Sequence, residues 1–429
     1  VTAEHWLFCD MDGTLADSIG VLRDVLARFL TEAGRSWDEQ LFATLNGASL
    51  DGIVSALRAR GLRGSHVAIK ARYLDELANC YRQVPPMPGA QALLDTARQS
   101  GCRLALVTAA EQRCAKGWLQ ARGWRELFSF IVGGDQVARA KPAPDLYRLA
   151  VTRSGADPAR VVVLEDSPNG VQAALSAGLS CWSVGLDTVG ALPCADLHAA
   201  SNRLRQRRAE AWPIARGPVQ VVEVPAEQPD GDRQRRIDQI WQQACRERPD
   251  LFNGPILAMV DWSWVDGGIQ LRARRSCYAE WLAGHRDSSL AMATVAITGG
   301  VRSPNREWLI GRRQQVSSWS QHWELIPGGV LEPGVSCTDH AKQELQEECG
   351  LQACSACSFG LLYDAGCPAW DIAVDLGCAS GGIRPSSEHS EIRWCKADEM
   401  KRRLGKWVPT VQAWMELMGL SKRSSEGYV

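Results

Sequence analysis

The sequence predicts a doubly wound α/β domain followed by an α+β module in a single chain. Three observations point there. Over the first 190 residues, short apolar runs alternate with amphipathic helical segments. From about residue 218 onward, strand-like runs dominate around one clear helix at 337–349. At 429 residues the chain also exceeds what one hydrophobic core usually organises.

The elements follow in order. WLFC (6–9), RLALV (103–107), FIVGG (130–134) and VVVL (161–164) read as buried parallel strands. Ile19, Leu22, Leu26, Phe29 and Leu30 recur at helical spacing, with Ser18 as a prospective cap and Gly34 as a stop. Residues 16–86 hold no strand pattern and read as a helical insertion after the first strand, closed by the breaker Pro85-Pro86-Met87-Pro88-Gly89. A polar, arginine-rich stretch over 202–217 suggests a boundary, giving a first domain at 1–205, a linker at 206–217 and a second domain at 218–429. In the second, AMATVAI (291–297), EWLIG (307–311) and WDIAVDLG (370–377) read as strands, and a last amphipathic helix is expected at 408–419.

Composition narrows the function classes. With 45% hydrophobic residues the chain is globular. Its 48 basic and 49 acidic residues nearly cancel, which argues against a nucleic-acid partner. No apolar run approaches the roughly 18 residues of a membrane span. The first apolar stretch, 6–9, runs directly into Asp10 and reads as a core strand rather than a signal peptide. Fifteen scattered cysteines, an odd number, point to reduced thiols and a cytoplasmic setting. The C-x-x-C at 354–357 has no second pair at zinc-ligand spacing, so its cysteines read as small buried residues.

In the first half, polar residues fall directly after the apolar strands: Asp10 and Asp12 after WLFC, Thr108 after RLALV, Glu165 and Asp166 after VVVL. Ligands of an open parallel sheet bind at the carboxyl ends of its strands. Three strands therefore deliver reactive groups to one edge. Such a carboxylate cluster suits a hard cation, Mg²⁺ or Mn²⁺, and Lys141 adds a compact positive charge for phosphate.

The segments DMDGTLADS, LVTAA, GGDQVARAKPAPD and VVVLEDSPNG resemble the haloacid-dehalogenase-like hydrolase superfamily, in its helical-cap members of the β-phosphoglucomutase and phosphoglycolate-phosphatase type. The resemblance covers about residues 5–200 and implies roles. Asp10 would be the nucleophile and Asp12 the general acid and base. Thr108 and Lys141 would hold the phosphoryl oxygens. Asp10, the backbone carbonyl of Asp12, Glu165 and Asp166 would hold the metal. Asn46, Gly47 and Ser49 are candidates for a cap loop facing the site. Lys70, the insertion's lone lysine, reads as a solvated helix residue rather than a Schiff-base lysine.

In the second half, Glu344, Glu347 and Glu348 stand at i, i+3 and i+4, on one helical face. Ser336 and Asp339 suggest a capping box and Gly350 a stop. Upstream, Gly328 and Gly329 lie in a loop whose backbone can approach a diphosphate. The segment 328–351 resembles the Nudix box, with Gly329, Glu344, Leu345, Glu347, Glu348, Gly350 and Leu351 in place. Val335 replaces the first box glutamate and Gln343 the arginine. The resemblance implies a Nudix fold over about 285–425, metal bound by Glu344, Glu347 and Glu348, and a water-positioning carboxylate outside the box, Glu388 or Glu391. Residues 218–285 resemble the N-terminal additions of Nudix enzymes that act on nucleoside diphosphate sugars.

The expected function is a bifunctional Mg²⁺-dependent hydrolase. One half removes phosphate from a phosphomonoester; the other splits a nucleoside diphosphate linked to another moiety. The alternatives are a phosphatase with a ligand-binding Nudix module, or a sugar-phosphate mutase.

Overall fold

In a computed structural model of the chain, residues 4–45, 48–206, 211–226, 230–314, 319–380, 382–384, 388–402 and 407–420 are described. The chain divides into two compact units, Val1–Arg207 and Arg208–Val429.

The first unit is built on six parallel strands: β1 (Trp6–Cys9), β2 (Arg103–Val107), β3 (Phe128–Val132), β4 (Val161–Glu165), β5 (Ser180–Val184) and β6 (Leu192–Cys194), in the order β3-β2-β1-β4-β5-β6. All four residues of β1 are buried, as expected for a strand covered on both faces. β1 pairs β2 on one side and β4 on the other, with Cys9 opposite Leu106 and Leu164. Four helices fill the insertion after β1: α1 (Ile19–Glu32), α2 (Glu39–Leu45), α3 (Leu50–Ala59) and α4 (His66–Tyr81). Then come α5 (Ala90–Gln99), α6 (Gln112–Ala121), α7 (Asp145–Ser154), α8 (Pro168–Ser176) and α9 (Leu197–Gln206). Val25, Leu26, Phe29 and Leu30 form the buried stripe of α1. Ser18 precedes α1 but makes no side-chain cap; its hydroxyl is turned to Asp12 instead.

The stretch expected as a linker is partly structured. Residues 207–210 lie outside the described residues, but β7 (Ala211–Arg216) pairs antiparallel with β15 (Gln352–Asp364). Its Trp212 packs on Tyr363. The arginine-rich run before it masked a five-residue buried pattern in AWPIA.

The other strands of the second unit are β8 (Val219–Val224), β9 (Pro255–Val265), β10 (Gly268–Cys277), β11 (Thr294–Val301), β12 (Trp308–Arg313), β13 (Trp323–Leu325), β14 (Gly328–Val330), β16 (Ala369–Ser380) and β17 (His389–Cys395). An eight-stranded mixed sheet runs β7-β15-β16-β11-β9-β10-β8 with β14 on β11, and β13-β12-β17 form a second sheet. Its helices are α10 (Gly231–Glu247), α11 (Tyr278–Arg286), α12 (Cys337–Cys349), α13 (Ala397–Arg402) and α14 (Pro409–Leu417). The hairpin of β9 and β10 with α10 and α11 accounts for the region expected as an extension. Cys354 and Cys357 are exposed rather than buried. They lie three apart on β15, where side chains alternate, so they face opposite sides of the sheet. Among the described residues no helix is long and apolar enough to cross a membrane.

Candidate active sites

The strand register places the first constellation. Asp10, Thr108 and Glu165 come to the carboxyl ends of three adjacent strands because β1, β2 and β4 run parallel and in step. Lys141, buried between β3 and α7, reaches into them. Its Nζ donates to Asp10 Oδ1 at 2.5 Å, to Glu165 Oε1 at 2.6 Å and to the Val107 carbonyl at 3.3 Å. Glu165 is fully buried and accepts further bonds from Tyr147 at 2.5 Å and Ser167 at 3.3 Å. Burial works to lower the Lys141 pKa, but the charges and hydrogen bonds of Asp10 and Glu165 outweigh it, so the ammonium stays charged. Asp10 is pushed well above the usual carboxylate range by burial; Lys141 opposes this, while Glu165, Asp166 and Asp12 reinforce it.

One oxygen from each of Asp10, Glu165 and Asp166 lies within 4.8 Å of the others, the one such group of three acidic, His or Cys side chains among the described residues. Three hard oxygens at this spacing fit Mg²⁺. Asp166 is raised to about 6 by burial and the Glu165 charge, and Thr14 donates to it at 2.8 Å. Gly13 makes the approach possible. Its φ is +81°, and a Cβ there would lie 2.2 Å from Asp166 Oδ2.

Asp12 is held apart from this trio. Its Oδ1 accepts from Tyr81, at the end of α4, at 2.6 Å and from Ser18 at 2.7 Å. Its Oδ2 faces Thr108 Oγ1 at 3.5 Å. Burial raises its pKa, and the Tyr81 and Ser18 bonds oppose that rise. A cavity of about 120 Å³ opens above Asp10, Asp12, Lys141 and Asp166, walled by α1–α4. Of the cap-loop candidates, Asn46 and Gly47 lie outside the described residues, and Ser49 caps α3 through Gly52 N. Lys70 pairs with Asp51 at 2.8 Å on the surface and does not line the cavity.

The second constellation is less convergent. Ser336 caps α12 and bonds Asp339, as its spacing predicts. Gly328 N donates to Glu348 Oε1 at 3.0 Å, tying the glycine loop to the helix. Gly329 abuts Glu344: a Cβ there would sit 3.0 Å from its carboxylate. Glu348 is buried and raised well above its ordinary value by burial, with the charges of Glu324, Glu388 and Glu344 adding to it and the Gly328 bond opposing. Glu344 is raised to about 7 by burial and by Glu347, Glu388 and Glu332. Glu347 is exposed and accepts from Gln343 at 2.9 Å. Glu344, Glu347 and Glu348 thus stand together on α12 but do not bring three oxygens within 4.8 Å of one another. Glu388 acts on Glu344 and Glu348 through its charge, whereas Glu391 lies on β17 beside Arg393 at 3.4 Å.

Several residues escaped the sequence reading. Thr14 sits inside DMDGT and was legible there. Tyr81, Tyr147 and Glu324 come from distant segments and carry no local signal. Glu324 joins His389 at 2.8 Å and Arg313 at 2.5 Å beside Glu348.

Known proteins share both patterns. A family model described as haloacid dehalogenase-like hydrolase matches residues 5–178, and a NUDIX domain model matches residues 292–416. A phosphorylated carbohydrates phosphatase of Thermotoga maritima is 31% identical over 40% of this chain and 80% of its own length. The chain belongs to the haloacid dehalogenase-like hydrolases and carries a NUDIX domain in its second half. It is a hydrolase of the phosphatase type. The fructose-1-phosphate phosphatase YqaB of Escherichia coli is 31% identical over 42% of this chain and 96% of that protein. A bifunctional riboflavin kinase/FMN phosphatase of Arabidopsis thaliana is 29% identical over 41% of this chain, which spans 47% of that relative's length. The crystal structure of CbbY from Rhodobacter sphaeroides in complex with phosphate superposes on 44% of this chain and 92% of its own, with 28% identity and a TM-score of 0.40.

Proposed function

We propose that residues 1–205 are a phosphomonoesterase working through an aspartyl-phosphate, and that residues 218–429 are a Nudix pyrophosphohydrolase acting on a nucleoside diphosphate linked to another moiety. The observation that carries the first assignment is the Lys141 bridge between Asp10 and Glu165 beside Asp166, at the strand ends beneath the cavity. Asp10 attacks phosphorus as the bond to the alcohol oxygen breaks. Asp12 gives that oxygen its proton. Asp12 then takes a proton from water, which attacks the phosphoryl group on Asp10 and releases phosphate. Thr108 and Lys141 hold the phosphoryl oxygens. Asp10, Glu165, Asp166 and the Asp12 carbonyl would hold Mg²⁺. Bound there, the ion supplies positive charge against the phosphoryl oxygens. Substrates are small phosphate monoesters, the class that includes those named for the Thermotoga and E. coli relatives.

In the Nudix half, Glu344, Glu347 and Glu348 would hold a divalent ion, Gly328 and Gly329 would approach the diphosphate, and Glu388 would position water. Burial first, and then the charges of neighbouring glutamates, raise Glu344 and Glu348, and a cation there would relieve both. A second reading, a ligand-binding module without turnover, is favoured by Val335 and Gln343 in the box and by the dispersion of the three glutamates. The test is product analysis with Mg²⁺ on phosphomonoesters, dinucleotides and nucleotide sugars. Asp10→Asn should lose all phosphate release, and Glu347→Gln should lose pyrophosphate cleavage alone. Phosphate release by Asp10→Asn would remove the proposed nucleophile. Nucleotide binding without cleavage by the parent protein would establish the second reading.

A further inference from the structure

The cavity under the cap has two chemically distinct walls. Among the described lining residues the core supplies every charge: Asp10, Asp12, Glu111, Lys141 and Asp166. The cap wall is apolar. Leu22, Leu26, Phe42, Leu50, Ile53 and Leu77 contribute to it, and among the described cap residues lining the cavity only Tyr73 and Tyr81 carry a polar side-chain atom. Tyr81 is already committed to Asp12. Residues 42–53 contain no lysine or arginine.

Among the described lining residues the one cation is Lys141, which is buried, paired with Asp10 and Glu165, and assigned to the phosphoryl group being transferred. The other four charged lining residues are acidic. A second phosphate or a carboxylate on the leaving group would enter this cavity unpaired and next to carboxylates, and an uncompensated charge there is strongly disfavoured. A polyhydroxylated group would find side-chain hydrogen-bond partners at Ser167, Asn169 and Tyr73 only, and would lose its water against the leucine, isoleucine and phenylalanine side chains over the rest of the described cap wall. An apolar group meets neither cost. The cavity of about 120 Å³ is on the scale of the about 150 Å³ apolar cavity that takes up benzene.

We infer that the phosphatase site prefers monophosphates whose alcohol portion is uncharged and mainly apolar, a short alkyl or aryl chain, over bisphosphates, phosphorylated acids and polyol phosphates. This rests on the phosphatase reading above and narrows its substrate class. The reaction is ordinary hydrolysis: the P–O bond to the alcohol breaks, water supplies the hydroxyl on phosphorus and a proton on the alcohol.

The test measures kcat/KM of the full chain with Mg²⁺ on ethyl, propyl, butyl and benzyl phosphate, glucose 6-phosphate, phosphoglycolate and fructose 1,6-bisphosphate. The alkyl series should rise about fourfold per methylene, the factor for burying a CH₂ group, and benzyl phosphate should exceed the polyol and acidic substrates at least tenfold. A flat alkyl series, or preference for phosphoglycolate or the bisphosphate, overturns the inference while leaving the phosphatase reading intact. Failure to release phosphate from any ester overturns both. Ile53→Lys adds a cation to the half-buried cap wall. It should raise the phosphoglycolate-to-butyl-phosphate ratio about tenfold. An unchanged ratio would remove this wall from substrate selection.

Discussion

The phenol of Tyr81 donates a 2.6 Å hydrogen bond to Asp12 Oδ1, joining the last residue of α4 to the loop after β1 across 69 positions of sequence. Tyr81 is buried and Asp12 partly so, and each holds the other: the bond stabilises the Asp12 carboxylate, while burial first and then Asp12 keep the Tyr81 phenol protonated. The cap thereby touches the group proposed to move protons. Tyr81→Phe keeps the ring and deletes only this bond. Asp12 should then be harder to ionise, and the acidic limb of the kcat–pH profile should move up by about one pH unit, the worth of one hydrogen bond to a charged group. An unmoved limb would separate Tyr81 from the proton-transfer step.

Lys141 lies between two buried carboxylates. Removing it leaves both uncompensated, so Lys141→Met should abolish phosphate release and destabilise the first unit by about 3–5 kcal/mol. Much of that loss reflects the stranded charges rather than the pair itself. Combining Lys141→Met with Glu165→Gln should restore a large part of the stability without restoring activity. Denaturant unfolding of the two variants checks this; equal stability of single and double variants would refute it.

Gly13 predicts a separation of fold from function. A Cβ at this residue would strike Asp166 Oδ2, and its φ of +81° disfavours other residues. Asp166 is partly accessible and can swing away. Gly13→Ala should therefore fold, yet need a Mg²⁺ concentration at least tenfold higher for half-maximal phosphatase activity. An unchanged Mg²⁺ requirement would take Asp166 out of the metal site.

What was legible in the sequence follows from how locally each feature is encoded. Asp10, Thr108 and Glu165 announce themselves because each directly follows a buried apolar run, and parallel strands in step bring run-ends together. The cap of α12 was legible because Ser336 and Asp339 interact within one turn. β7 was not: it is a short strand beside charged residues, stabilised by pairing with β15 far along the chain. Ser18 has the right type and place for a helix cap, but a tertiary partner, Asp12, takes its hydroxyl. The glutamates of α12 were placed correctly on one helix, but helical spacing alone does not fix where long side chains end. Gln343 draws Glu347 outward and Gly328 fixes Glu348.

Glu344 carries the clearest pH dependence. Its pKa is raised to about 7 by burial and by neighbouring glutamates, against an ordinary 4.5. Between those values the folded chain holds a proton that the unfolded chain releases, so stability of the second unit falls as pH rises from 4.5 to 7 and stays reduced above. In chelator, Glu344→Gln should remove this penalty and stabilise that unit by about 2 kcal/mol at pH 8, allowing for partial exposure, with no difference below pH 4.5. Adding Mg²⁺ or Mn²⁺ should reverse the order, because the cation binds the parent carboxylates and raises the parent's melting temperature more than the variant's. If the cation shifts both proteins equally, Glu344 does not bind metal, and the acidic face of α12 has another purpose.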